Sequence, residues 1–403
     1  MAIMAATIGA LGCRCKLLTS PVSTLRPVYA HTEEVQMTNA LTDRQLNRAT
    51  LARQMLLERS DISITDTIAW LLGMQAQQTH DPYIGLWSRL EGFTHQALSA
   101  LIIDRTLARA TTMRGTLHLH TVDDLIGIRE QMQPFLRSVW LSNFKKRFGG
   151  NNEAAVLELA RKLLDAEPMT AGQLGKRLSE RFPEGEPLAM TMLLQSTDTL
   201  IQIPPTRIWG SGHAPLLTRI GNWLPAPYER PIARETLVRR YLAAYGPASV
   251  ADMQSWSRLT KLSEVFEALR PELVSFIGPD GRELFDLPES PRPDADTPAP
   301  IRFMPLFENA FLGYDNRRRV LAEDDEKRGD FLHDAKPSVL VDGIISAAWA
   351  IDNKKGAAVL TVTPYHQLRK KDVAEIEREG LKFLRFMEEK AETFDVRVLE
   401  VPA

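Results

Sequence analysis

Gly73-Met74-Gln75-Ala76-Gln77-Gln78-Thr79-His80-Asp81-Pro82 packs polar side chains directly behind an apolar run. A carboxamide carries an acceptor oxygen and a two-proton donor, so it can hydrogen-bond in both directions. Positions two apart on a helix differ by about 200° and do not share a face. Gln75 and Gln77 therefore act together only if the helix ends or distorts there. Pro82 disfavours helix at Asp81 and predicts a nearby break. Residue types alone favour the plainer alternative, a solvated polar helix end with no chemistry.

His118 and His120 share one face of an expected strand. Two histidines at that spacing can begin a metal site, but no carboxylate or cysteine completes it locally. A hydrogen-bonded structural role or a DNA-facing role is expected instead, with no metal. His80-Asp81 reads as a cap or turn rather than an acid–base pair. The chain holds no Walker loop, no GxGxxG in a βαβ context, no HExxH and no nucleophile elbow, and no cofactor is expected. Carboxylate runs such as Glu375, Glu377 and Glu379 read as solvated helix surface.

The chain has 403 residues, which predicts two to three domains, and its 44% hydrophobic and 25% charged content excludes a wholly disordered, collagen-like or disulfide-framework protein. Lys+Arg number 49 and Asp+Glu 51, a net charge of −2, so any nucleic-acid surface must come from local clustering. Both cysteines, Cys13 and Cys15, lie near the N-terminus. Beyond them disulfides, thiolate-bound zinc, iron–sulfur clusters and thiol catalysis are excluded, which fits a reducing compartment. Residues 1–36 read as an unstructured tail or a mis-assigned start ahead of Met37, with a signal peptide disfavoured because the positive charge follows the apolar stretch. No later segment reaches membrane-spanning length without charges, so no membrane partner is expected and the location is read as cytoplasmic and nucleoid-associated.

The basic clustering is clear. From Gln131 to Asn152 there is no acidic residue, while Arg137, Lys145, Lys146 and Arg147 interleave with Trp140, Phe144 and Phe148. From Ile203 to Tyr228 there is again no acid, with Arg207, His213 and Arg219. Arg317-Arg318-Arg319 forms a third cluster, and the acids gather at Asp280–Asp296, at Glu323–Glu326 and in the last helix. Such patches suit phosphates, although solvated surface is the competing reading.

The elements that must position these residues repeat. Helices are expected over Thr42–Arg59, Thr65–Met74, Tyr83–Leu90 and from a Thr94 cap through Ile103, then strands Ala108–Thr112 and Thr116–His120. Helices followed by a two-stranded hairpin make a winged-helix pattern. It returns as helices Ala154–Leu164, one capped by Thr170, and Leu188–Thr199, with strands Ile201–Ile203 and Leu216–Ile220. It returns again as Thr236–Tyr245, a helix opened by Ser249, and Leu262–Leu269, with strands Leu273–Ile277 and Glu283–Asp286 around Pro279-Asp280-Gly281. The openings at Pro168-Met169-Thr170 and Pro247-Ala248-Ser249 share one rule: Pro stops the preceding element and the hydroxyl caps the next. After a Pro/Asp-rich linker, Pro288–Pro300, the pattern turns β (Ile301–Leu306, Val320–Leu321, Val339–Val341, Ile344–Ile351, Ala357–Val362). A helix from Lys371 to about Phe394 and a strand at Val396–Val401 close the chain.

From about Thr42 onward the chain resembles the AlkZ-like winged-helix DNA glycosylases. The carrying blocks are Leu46-Asn47-Arg48-Ala49-Thr50-Leu51-Ala52-Arg53-Gln54, Gly73-Met74-Gln75-Ala76-Gln77 and Met113-Arg114-Gly115-Thr116-Leu117-His118-Leu119. A weaker block is Met304–Tyr314, with Glu308 where the family often has Asp. The resemblance implies an α+β protein of three tandem winged-helix units (37–128, 129–230, 231–290) held by a β-barrel-like domain with a terminal helix (291–403). It implies monofunctional hydrolysis of the N-glycosidic bond of alkylated bases, including unhooking of interstrand crosslinks. The family's catalytic Gln-apolar-Gln motif falls on Gln75 and Gln77, whereas the sibling YcaQ-like branch carries Gln-apolar-Asp. Arg114, His118, Arg137, Lys145, Lys146, Arg147, Arg207, Arg317, Arg318 and Arg319 are the expected DNA contacts. The partner is double-stranded, damaged DNA and the protein a monomer, since three dissimilar wings fit a clamp better than a palindrome-reading dimer. A noncatalytic winged-helix regulator and a nucleic-acid-independent scaffold are the competing readings.

Overall fold

The computed structural model describes residues 40–224, 231–322 and 336–401. The expectations for residues 1–36, with Cys13 and Cys15, and for the acidic run at Glu323–Glu326 lie outside them.

The N-terminal part follows its caps. Thr42 opens α1 (Asp43–Arg53) with a full capping box to Gln45, and the helix ends where Met55 turns to a positive φ. Ser63 caps α2 (Ile64–Trp70), which ends four residues before the expected Met74. Leu72 at φ 57° and Gly73 at φ 97° turn the chain out of the helix. Only glycine suits that second position, because a Cβ there would overlap the His120 ring. The chain leaves as β1 (Met74–Gln75) and continues into α3 (Asp81–Trp87), with Pro82 in its first turn, and Thr94-capped α4 (His95–Ile103). The hairpin β2 (Leu107–Thr111) and β3 (Leu117–Thr121) follows, its turn a single 3₁₀ turn at Met113–Gly115.

A helix that the sequence reading missed comes next, α5 (Val122–Asn143), capped by Thr121 and carrying Pro134 inside it. Its buried stripe is Leu125, Ile128, Met132, Leu136 and Trp140, a three-to-four spacing that the interior proline obscures. Helices α6 (Glu153–Ala166), α7 (Ala171–Arg181, capped by Thr170) and α8 (Pro187–Thr197) lead to β4 (Leu200–Ile203), β5 (Leu216–Arg219) and a short α9 (Ile220–Trp223). The third set is α10 (Arg234–Tyr245), Ser249-capped α11 (Val250–Ser257), α12 (Leu262–Leu269), β6 (Val274–Ile277) and β7 (Glu283–Asp286).

The first two hairpins do not stand apart. They join in one sheet of order β1-β3-β2-β4-β5, with Arg109 opposite Gln202 and Ala110 opposite Ile201. Helix α5 runs through residues 128 and 129, where one expected unit gives way to the next. The Pro-rich linker is tied down: Arg53 Nε donates to the Pro291 carbonyl at 3.1 Å and Arg48 Nε to that of Thr297 at 2.6 Å. Arg53 also forms a buried two-pronged ion pair with Asp286 at 2.7 and 2.8 Å, fastening α1 to β7.

The C-terminal part contains β8 (Arg302–Met304), α13 (Asn309–Leu312), β9 (Ser338–Val341), β10 (Ile344–Lys354), β11 (Ala357–Pro364), α14 (Lys370–Met387) and β12 (Thr393–Val398). Its sheet has the order β12-β11-β10-β9-β8. Among the described residues β8 and β12 are its edges, so the part expected to be barrel-like is an open sheet with no closed barrel. Ile376, Phe383 and Leu384 of α14 cover one face, packing with Phe303, Val339 and Leu360. Helix α14 stops seven residues before Phe394, which instead pairs with Ala358 in the parallel β11–β12 ladder. Val320–Leu321 forms no strand; Val320 contributes one carbonyl to the Ile345 N–H. Among the described residues no helix is long and apolar enough to cross a membrane.

Candidate active site

Neither glutamine is on a helix: Gln75 ends β1, and Gln77 opens the bend that follows it. Gln75 pairs opposite His118 in the β1–β3 ladder, and the Ala76 N–H donates to the Leu117 carbonyl at 2.7 Å. Their surroundings differ sharply. Gln75 is 4% exposed, whereas Gln77 is exposed. The Gln75 Oε1 accepts from Arg114 Nη2 at 2.8 Å. Arg114 Nη1 in turn donates to the Trp256 carbonyl at 2.7 Å, and Nη2 lies 3.1 Å from His118 Nε2. Burial pulls the Arg114 guanidinium down to about 10, with Tyr245 opposing and Arg258 adding to the fall. The Gln77 Oε1 accepts only a long 3.4 Å contact from the Leu117 N–H. Gln77 sits at the lip of a cleft of about 540 Å³ that Thr111, Gln195, Gln202 and Leu217 also line.

The histidine pair supports this arrangement from below. Burial first, then Arg114 and His120, hold the His118 imidazole well below its usual pKa, so it is neutral. Its Nδ1 lies 3.0 Å from the Thr116 carbonyl and must carry the proton, which leaves Nε2 as an acceptor toward Arg114. Burial likewise pulls His120 down to about 4, its Nε2 held 2.9 Å from the Thr112 hydroxyl. Among the described residues no group of three His, Cys, Asp or Glu side chains gathers to hold a metal.

Sequence reasoning passed over two buried charges beside this strand. Asp81, read as a cap or turn residue, is 3% exposed and its Oδ2 accepts from the Gln78 N–H at 3.1 Å. Burial pushes its carboxyl up to about 7 against the opposing N–H groups of Gln78 and Leu306 and the charge of Arg109. Arg109 is 2% exposed, and none of its three guanidinium nitrogens has a hydrogen-bond partner among the described residues. Burial and the nearby Arg207 lower it to about 10. Pro82 opens α3 and does not keep Asp81 out of a helix, as its position had suggested, and nothing in the sequence distinguishes Arg109 from an ordinary strand cation. Glu308 is a structural residue: it forms a buried ion pair with Arg89, and its Oε1 caps α13 by accepting from the Ala310 N–H at 3.0 Å.

The expected DNA contacts are placed differently from one another. Arg114 is half-buried and bonded to Gln75, and His118 is buried and bonded to Arg114. Arg137 and Lys145 both pair with Glu153, and Arg147 pairs with Glu186, while Lys146 is exposed beside them. Arg207 donates to the Thr79 hydroxyl at 3.2 Å, next to the glutamine stretch. Arg317 lies over Phe311 at 4.5 Å and Arg318 stands 3.6 Å from Asp43. Arg319 is a correction: it is buried, 3.7 Å over Tyr314, and donates to the Pro247 carbonyl at 3.1 Å, so it holds elements together rather than facing a phosphate.

The chain belongs to the AlkZ-like DNA glycosylase family, whose model matches residues 68–386. It is 26% identical over 381 residues to an interstrand DNA cross-link repair glycosylase of Streptomyces sahachiroi, covering 85% of this chain and 95% of that one. In fold it is similar to Streptomyces sahachiroi DNA glycosylase AlkZ, with a TM-score of 0.68 at 22% identity, covering 89% of this chain and all of that one.

Proposed function

We propose that the protein is a monofunctional, monomeric DNA glycosylase that hydrolyses cationic N-alkylated purines from double-stranded DNA, interstrand crosslinks included. The observation that carries this is the pairing of a locked Gln75 with an exposed Gln77 at the mouth of the cleft. Alkylation at N7 or N3 already makes the base a good leaving group. The C1′–N electron pair departs with the base, neutralising it, and the sugar becomes oxocarbenium-like. The Gln77 carbonyl accepts a hydrogen bond from the water that adds to C1′, and the added water gives its proton to solvent. The amide protons of the pair face the sugar and phosphate. A neutral residue suffices because the lesion, not a general acid, activates departure. That selects cationic lesions over neutral damaged bases.

The three helix-plus-hairpin sets serve as winged-helix units around the duplex in this reading, with Lys146 and Arg207 facing the backbone. Incubating purified protein with N7-methylguanine DNA and with crosslinked DNA, and scoring abasic sites, tests it. Binding without base release would leave a noncatalytic DNA-binding protein. Loss of both would leave a scaffold.

A further inference from the structure

The cleft beside Gln77 has a lining without a single charged side chain. Its floor is the shared sheet, with Thr111 from β2, Leu117 next to Gln77, and Leu200 and Gln202 from β4; the first turn of α7 and Pro215 face it. Its volume lies within the range of about 300–1,000 Å³ that small-molecule sites occupy. One polar group in it is unsatisfied. The Gln202 Oε1 is buried and has no hydrogen-bond partner among the described residues, whereas the neighbouring Gln195 has spent its amide on the Thr111 hydroxyl. The Gln202 backbone cannot drift, because it is paired on one side with Arg109 and on the other with Leu217. A buried acceptor without a donor costs free energy that a ligand N–H would recover.

We propose that this cleft receives the extruded, alkylated purine and that the Gln202 carboxamide accepts a hydrogen bond from its N–H-bearing edge, favouring N7-alkylguanine, which offers both N1–H and an exocyclic amine. This rests on the glycosylase reading. The lack of charge fits the chemistry: the base enters as a cation and leaves neutral, so a wall without carboxylates does not hold it back. The positive end of the α7 dipole works in the same direction.

The test uses the full chain, with Gln202→Leu and Gln202→Glu, the latter keeping the acceptor. Three readouts are taken: single-turnover excision of N7-methylguanine against N3-methyladenine in duplex DNA, calorimetric titration with free 7-methylguanine, and the melting temperature. Gln202→Leu is expected to lower N7-methylguanine excision by about 10- to 100-fold, more than N3-methyladenine excision, and to weaken 7-methylguanine binding comparably, with Gln202→Glu recovering much of the binding of the neutral free base but less of the excision rate, because its carboxylate also holds the cation. Gln202→Leu matching the wild type in both rate ratio and base affinity would overturn the proposal. So would a fall in melting temperature alone, which would mean that Gln202 serves only Arg109 across the ladder. If the wild type releases no base yet binds 7-methylguanine through Gln202, the glycosylase reading fails and the cleft assignment stands. If it releases none and binds none, both fail.

Discussion

Arg114 donates through Nη2 to the Gln75 Oε1 at 2.8 Å across 39 residues of chain, while its Nη1 holds the Trp256 carbonyl of α11. One guanidinium thus fixes the orientation of a motif glutamine and ties it to the third helical set. It also commits the Gln75 carbonyl, leaving the amide half of the side chain for other work.

Arg114→Ala should therefore cost both stability and chemistry. It strands the buried Gln75 and Trp256 oxygens, each worth roughly 1–3 kcal/mol when left without a donor. Urea unfolding should show a loss of at least about 2 kcal/mol, with excision reduced under conditions where the variant remains folded. Wild-type stability in this variant would show that the oxygens find other partners.

Gln77 is exposed and makes one weak contact, so its replacement should leave folding untouched. Gln77→Ala is expected to slow single-turnover release of N7-alkylguanine by about 10²- to 10³-fold, the scale for losing one positioned polar group. Gln77→Glu keeps an acceptor for water but loses the donor, and partial activity should remain. If both variants run at the wild-type rate, the motif is only a polar strand end.

Asp81 gives the protein a pH signature. Its carboxyl is raised from 3.8 to about 7 by burial, so between those values the folded chain holds a proton that the unfolded chain has lost. Stability from this group therefore falls as pH rises from about 4 to 7 and stays at its lower level above. Asp81→Asn remains neutral throughout, so its advantage should be absent near pH 4 and grow to at most about 4 kcal/mol above pH 7. Melting curves at pH 4, 6 and 8 check this; an advantage that shrinks with rising pH contradicts it.

Lys145 and Lys146 differ in availability. Lys145 must leave Glu153 to reach a phosphate, whereas Lys146 is already exposed. Replacing both with Ala should weaken binding to all duplex sequences and flatten the salt dependence by about one to two units of slope, at roughly 0.9 per contact. Lys146 should carry the larger share. An unchanged slope removes this cluster from the DNA interface.

The elements with strong caps were legible in the sequence. Thr42, Thr94, Thr170 and Ser249 open helices where their hydroxyls predict, because a cap is a local interaction. Strand β7 and helix α12 match their expected bounds. What escaped was non-local. Helix α5 was hidden by Pro134, and the joining of two hairpins into one sheet depends on Arg109 meeting Gln202, which no short window contains. The glutamine stretch stands out from its residues and its resemblance, but the break was expected on its far side: the helix stops at Trp70, where Leu72 and Gly73 turn the chain, whereas Asp81 and Pro82 open α3. The contrast between a buried Gln75 and an open Gln77 was not legible, since it depends on Arg114 arriving from the β2–β3 turn. Arg319 was misplaced because a run of three arginines looks the same whether or not its last member turns inward.

The ladder between β2 and β4 also sets an order of events during synthesis. Four helices separate these strands, so the cleft has no far wall until the ribosome has delivered Arg219. Until then the nascent chain carries β2 with an open edge, a template for pairing with other chains. A fragment ending at Thr199 should accordingly associate in sedimentation, whereas one extended through Trp223 should not. Misassembly in cells would thus arise before the cleft exists, and a stalled or truncated chain would be a liability rather than a partly assembled protein.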